Sequence, residues 1–382
     1  MKKSKTKSKK KKSRRKLKKW PKLVLLLIFL AALFLILKKS LDNYNITFNN
    51  TYDYLMNKIN EQKQKQDEKK QQENKKKQDE EYNTCINQKY SEEEKSEKLT
   101  QVENELTDYL KNYSLSIKFV DVKTNYTYSY NESKVYYAAS TIKMLDAIYI
   151  YRNALEGNLN LDSTKKYTKN FKVAYSAGLE KYKIGDMVSL RNLVKYAITV
   201  SDNSAHQMLV DYIGFNNLKK YGNSLGAKNT LIGGDNFGQI DVNDSIAYLS
   251  ELYNFIEENS EFSEELKLYF IESDENFLKD EENGIKAATK YGEYGNFFHN
   301  NGIVYADNTY FLSILTNLGK KKGSSTIKSI NKKIQELQKN VYENHVEYCQ
   351  QKIYSVQNDW QLMNKLLKYN WRDGYERKEK II

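Results

Sequence analysis

The chain has 382 residues, a formal net charge of +13 and a hydrophobic share of 40%, which is room for one sizeable domain with appendages. Residues 1–40 carry 16 Lys and Arg and no Asp or Glu, so residues 41–382 hold 46 basic against 49 acidic side chains. The folded part therefore has no basic excess with which to neutralise phosphates, and a nucleic-acid partner is excluded.

The basic run of residues 1–19 reads as a cytoplasmic tail. Trp20-Pro21-Lys22 follows, then fifteen apolar residues, Leu23 to Leu37, closed by Lys38 and Lys39. Fifteen helical residues span about 22 Å against a hydrocarbon core of roughly 30 Å, and snorkelling lysines with an interfacial tryptophan make up part of the difference. The expectation is a single-pass signal anchor over residues 20–40 in a bacterial cell membrane, its N-terminus inside and the rest outside. A cleaved signal peptide is the alternative, although no small-x-small site follows the apolar run. Either one exports the domain.

Residues 41–90 read as a polar stalk. From Gln62 to Glu81 there is no apolar residue, so a coiled-coil seam is absent; the segment is either a solvated single helix or disordered. Order resumes near Ser91, and residues 91–340 are expected to form one domain. Leu99, Val102, Leu106 and Leu110 mark a helix over 92–112. Ser114–Val122 and Tyr126–Tyr130 alternate as strands around a turn at Asn125. An apolar helix over Ser140–Leu155 ends at Gly157, and helices over Ser189–Val200 and Ser204–Ile213 are interrupted at Asp202-Asn203. Helices over 243–258 and 263–271 precede three closing strands, Lys286–Lys290, Gly302–Tyr305 and Tyr310–Thr316, and a last helix over Ser324–Asn340. Strands at both ends with helices between imply an α+β sheet whose edges come from distant sequence. Residues 341–382 read as a helical C-terminal extension: Trp360, Met363, Leu366 and Leu367 could line one face, packing on the domain or meeting a partner. Cys85 and Cys349 flank the domain; two free thiols is the plainer reading, a bridge between the domain's ends the other. His206, His299 and His345 are scattered with no metal-ligand spacing, so neither a metal nor another cofactor is indicated.

Three strings carry the chemistry: Ser140-Thr-Ile-Lys143, Ser201-Asp202-Asn203 and Lys290-Tyr291-Gly292. Singly each is weak, because S-x-x-K also occurs at Ser4, Ser8 and Ser163. Ser140, however, starts an apolar helix, and a lysine one turn later lies on the same face. A serine hydroxyl needs a neighbouring base, and a desolvated lysine near a second cation, Lys290, can be neutral enough to serve. The helix N-terminus adds positive potential for an oxyanion. Ser201 and Asn203 would project from a break between helices, Ser201 relaying a proton to the leaving amine and Asn203 holding the substrate amide; a simple capping turn braced by Asp202 is the plainer reading of that string alone. Lys290, on an edge strand, would attract a substrate carboxylate. Gly292 would let a substrate backbone lie close, and Glu293 would offer a second oxyanion amide. His206, five residues after Ser201, reads as a packing or surface residue and not as a triad member.

In this order and at these separations the strings resemble the class A β-lactamase and penicillin-binding serine hydrolase family. STIKML at 140–145, VSDNSAHQML at 200–209 and KYGEYGNFFHNNGIVYADNTYFLSILT at 290–316 carry the resemblance, which covers residues 95–340. It implies a β-lactamase-like α+β sandwich, an antiparallel sheet with flanking helices and an all-helical lobe. It also implies an acyl-Ser140 intermediate formed from β-lactams or D-Ala peptides of the peptidoglycan type. Two departures stand out. Tyr291 occupies a place where the family has Thr or Ser, and the loop Leu231–Ser245 contains no glutamate to activate a deacylating water. Slow deacylation is the expectation; a binding protein of the same fold without turnover is the alternative.

Overall fold

The computed structural model describes the backbone of residues 20–43 and 48–379 and the side chains of residues 22–40 and 52–353. The expected basic tail at 1–19 and the apolar face at Trp360–Leu367 lie outside the described side chains. The chain divides into two units, Met1–Glu80 and Glu81–Ile382.

In the first unit, α1 (Trp20–Asn43) contains a fully exposed stretch, Lys22–Ser40, long and apolar enough to cross a membrane. Helix α2 (Phe48–Ile86) continues into the second unit. Of the two readings of residues 62–81, solvated helix or disorder, the backbone is helical. With no apolar seam, its local support is i,i+4 pairing such as Lys69–Glu73 at 3.8 Å and Lys76–Glu80 at 3.9 Å, exposed contacts worth only a few tenths of a kcal/mol each.

The second unit begins with a 3-10 turn at Glu92–Glu94 and α3 (Glu97–Leu110), capped by Ser96. Strands β1 (Leu115–Asp121) and β2 (Thr127–Tyr130) form a hairpin whose turn places Asn125 at φ 61°, and β3 (Tyr136–Tyr137) follows. Next come α4 (Lys143–Leu155), the short pair β4 (Thr164–Lys166) and β5 (Met187–Ser189), then α5 (Leu190–Thr199), α6 (Asn203–Ile213) and α7 (Phe215–Ser224). Strand β6 (Gln239–Ile240) leads into α8 (Val242–Glu257) and α9 (Glu261–Ile271). The chain closes with β7 (Lys286–Tyr294), β8 (Phe297–Tyr305), β9 (Thr309–Thr316) and α10 (Gly319–Glu379).

The large sheet is antiparallel, in the order β2-β1-β9-β8-β7, so the first strand pairs with the last one in sequence and β2 and β7 are the edges. Alternation along the strands divides two cores. Leu115, Ile117 and Phe119 of β1, with Leu312 and Ile314 of β9, pack with Leu99, Leu106 and Leu110 of α3 and Ile327, Ile330 and Ile334 of α10. Ala288, Ile303, Phe311 and Leu315 face the opposite way, into the core shared by α4, α5, α6, α8 and α9. Lys290 lies on this second face, which points it at the helical lobe.

Two expectations change. Helix α10 runs unbroken through residue 340, where the domain was expected to end, because Val341, His345 and Cys349 continue its buried stripe. Cys85 and Cys349 form a disulfide, which overturns the plainer reading of two free thiols. Beside it, His345 Nδ1 meets Glu94 Oε2 at 2.6 Å and Asn344 donates to Glu94 O at 2.8 Å, so the end of α2 and the entry to α3 are both fastened to α10.

Candidate active site

Ser140 does not open an α-helix directly. It stands in a 3-10 turn, Ala139–Ile142, that feeds α4. Ala139 before it has φ 50°, a left-handed conformation that costs a non-glycine residue roughly 1–3 kcal/mol. Two contacts hold this turn. His299 on β8 accepts the Thr316 amide at Nδ1 (3.1 Å) and donates from Nε2 to Tyr137 O (3.0 Å), which fixes its neutral tautomer and ties the sheet to the segment before Ser140. Gly292 lies against the turn itself: a Cβ there would be 2.9 Å from Ala138 O and 3.1 Å from Thr141 N. The expectation gave that glycine to a substrate backbone; its bare face meets the Ala138–Thr141 turn.

Lys143 is fully buried. Its Nζ donates to Ser201 O at 2.6 Å, Ser201 Oγ at 3.3 Å and Asn203 Oδ1 at 2.6 Å, which uses all three ammonium protons. No hydrogen bond between Ser140 and Lys143 occurs among the described residues. Burial pushes the Lys143 ammonium down to about 7, opposed by the attraction of Asp202 and Asp146. Lys290, also fully buried, donates to Ser201 Oγ at 2.9 Å and to Tyr291 O at 3.0 Å. It is held well below the usual lysine range by burial first and by Lys143 second. Ser201 Oγ thus receives both lysines and keeps its own proton for a third group.

The elbow explains how Ser201 can do this. Its φ of 56° turns carbonyl and hydroxyl toward Lys143 together. Asp202 caps α6 by accepting the Ala205 amide at 2.7 Å, and its other oxygen accepts the Leu179 amide at 2.9 Å. The capping and functional readings of Ser-Asp-Asn are therefore compatible: Asp202 is the cap and Ser201 is the projecting group. Asn203, expected to be free for substrate, has both ends of its amide engaged, Oδ1 by Lys143 and Nδ2 on Ala174 O at 3.0 Å.

The segment 173–179 is a wall the sequence reading missed. Tyr175, at φ 61° and 87% exposed, accepts the Asn203 amide at its carbonyl, which ties this segment to the elbow. The sequence reading assigned no element between Gly157 and Ser189, and residues 173–179 carry no periodic signal. The third-motif side has its own features. The Tyr291 ring centroid is 4.1 Å from Lys290 Nζ, and Glu293 pairs with Lys320 at 3.4 Å.

The loop after α7 carries no carboxylate aimed inward. Asp235 Oδ1 accepts the amides of Phe237 (2.8 Å) and Gly238 (2.6 Å) in its own turn, while Asp241 caps α8. What the loop presents to Lys143 is the Phe237 ring, 5.8 Å from Nζ. His206 is buried and structural: Nδ1 meets Asp146 Oδ2 at 2.5 Å, and Nε2 donates to Asn236 O at 3.0 Å, joining α6, α4 and the loop.

A family model described as the β-lactamase enzyme family matches residues 100–338, more than half of the chain. Among solved structures, a PBP-A variant captured as its acyl-enzyme with penicillin G is 19% identical (TM-score 0.54; 63% of this chain, 96% of that one). A β-lactamase from Sphaerobacter thermophilus is 18% identical (0.53; 62% and 95%), and the TLA-1 extended-spectrum β-lactamase is 17% identical (0.55; 62% and 98%). At these identities the likeness is one of fold; with the family match, it identifies the chain as a member of the β-lactamase enzyme family.

Proposed function

We propose that the protein is an exported, membrane-anchored serine hydrolase, acylated at Ser140 by β-lactams or peptidoglycan-like D-Ala peptides and slow to release the acyl group. The observation that carries this reading is the convergence of Lys143 and Lys290 on Ser201 Oγ, at 3.3 and 2.9 Å, beside the Ser140 turn. In its neutral form Lys143 takes the Ser140 proton as Oγ attacks the amide carbon; the hydrogen bond this needs tightens when substrate displaces the resting contacts. The amides of Ser140 and Glu293 receive the oxyanion. Ser201 then gives its proton to the leaving nitrogen as the C–N bond breaks, and regains one from Lys143, leaving acyl-Ser140.

Deacylation needs a water and a base. Asp235 and Asp241 are engaged in turn and cap, and Phe237 occupies the approach to Lys143, which supports slow turnover. The apolar Lys22–Ser40 helix supports anchoring, and the Cys85–Cys349 disulfide suits an oxidising exterior. The same engaged carboxylates, with Tyr291 and the occupied Asn203 amide, favour a second reading, a binding protein without turnover.

A time course of the full-length protein in detergent with a fluorescent penicillin separates the two. Label that persists for hours and is lost in Ser140→Ala is expected. Label that decays within seconds overturns slow deacylation, and absence of label at any time favours the binding protein.

A further inference from the structure

We infer that, among the β-lactams and D-Ala amides proposed above, the site favours those whose leaving side carries no free carboxylate, an internal D-Ala peptide amide being the matching substrate class, because the Tyr291 ring covers Lys290 and two glutamates flank this corner. This rests on Ser140 being the nucleophile.

A carboxylate held beside the leaving group needs a cation with a free donor direction and a short hydroxyl next to it. Lys290 offers neither. It is fully buried, two of its protons go to Ser201 Oγ and Tyr291 O, and the Tyr291 ring covers Nζ at 4.1 Å, a cation–π distance. The neighbouring side chain, where a short hydroxyl would stand, is that ring.

The charges around Tyr291 have the wrong sign for an anion. Glu275 and Glu293 share one cation, Lys320, at 2.7 and 3.4 Å, so this corner holds two carboxylates against one exposed ammonium. Asp274 adds a third carboxylate: it acts on Lys290, and with Glu275 and Lys320 it also acts on the Tyr291 phenol. Glu275 is fixed in place. It has φ 53°, and its carbonyl accepts Asn300 Nδ2 at 2.7 Å. An incoming carboxylate would therefore meet like charge in this corner, whereas a neutral backbone or a cationic side chain would not. An internal amide meets both conditions, because the residue after the scissile bond continues as peptide.

The test compares second-order acylation rates of full-length protein in detergent by benzylpenicillin and by its methyl ester, followed as intact mass. A fluorophosphonate that needs no carboxylate site serves as an independent probe of Ser140. Wild type is expected to react with the ester at least as fast as with the acid. Tyr291→Thr is expected to raise the ratio of acid rate to ester rate about tenfold, whatever it does to the two rates together. An acid rate ten times the ester rate in wild type overturns the inference, and that ratio decides alone should Tyr291→Thr not fold. Fluorophosphonate label on Ser140, with both penicillins inert in wild type and in Tyr291→Thr, also counts against it. Absence of fluorophosphonate label removes the Ser140 reading itself, a distinguishable failure.

Discussion

Lys143 is joined to Ser201 twice, through the carbonyl at 2.6 Å and through the hydroxyl at 3.3 Å, and the left-handed backbone of Ser201 makes both possible at once. The resting lysine is thus held by the elbow and not by Ser140 three residues before it. Its proton must leave before it can act as base, and burial brings that event down to about 7.

The acylation rate should therefore climb with pH as Lys143 loses its proton, with an ascending limb near 7, and flatten above it. Stopped labelling at fixed intervals from pH 5 to 9 measures this. Lys143→Arg, which cannot deprotonate in this range, should lower the rate at least a hundredfold. A flat profile would show that another group takes the proton.

Gly292 touches the turn that carries Ser140, so Gly292→Ala sets a Cβ 2.9 Å from a backbone oxygen and 3.1 Å from a backbone nitrogen. The turn must move or strand β7 must. Acylation should fall by ten- to a hundredfold with a loss of about 1–3 kcal/mol in stability. The pairing of labelling rate with thermal melting checks it; unchanged labelling would place Gly292 outside the site's support.

His299 is buried and neutral, its pKa pushed down by burial to about 4. Unfolded, the same imidazole titrates near its ordinary 6.5. The stability it contributes is present above that value and is lost as pH falls toward 4, because only the unfolded state takes up the proton. Denaturant midpoints should decline between these limits, and His299→Gln should flatten part of that decline. An unaltered slope in the variant would assign it to other groups.

The disulfide closes a sequence separation of 264 residues. Cys85→Ser should cost about 2–4 kcal/mol, and reduction should reproduce that loss in wild type but add nothing to the variant. Melting with and without reductant measures both.

Periodicity and capping residues made most of the fold legible. Ser96, Ser189, Asp202, Asp241 and Ser260 each start a helix within a few residues of its expected beginning, and the strands at both chain ends belong to one sheet whose edges, β2 and β7, come from distant sequence. The three motif strings likewise identified side chains that the fold gathers: Lys143, Ser201, Asn203 and Lys290 are directly hydrogen-bonded to one another or share Ser201. What sequence did not reveal depends on contacts between distant segments. The Tyr175 wall sits on an irregular stretch and exists because Asn203 reaches Ala174 and Tyr175. The role of His299 needs β8 beside β3, and the Cys85–Cys349 bond needs α10 to continue past residue 340. No local period encodes such neighbours.

The central claim is that Ser140 is the residue that becomes acylated. Intact mass of the full-length protein after long incubation with saturating benzylpenicillin, followed by peptide mapping, tests it most directly. One added penicillin, located on Ser140 and absent from Ser140→Ala, is the predicted result. An adduct on another residue, or an equal adduct in Ser140→Ala, would contradict it.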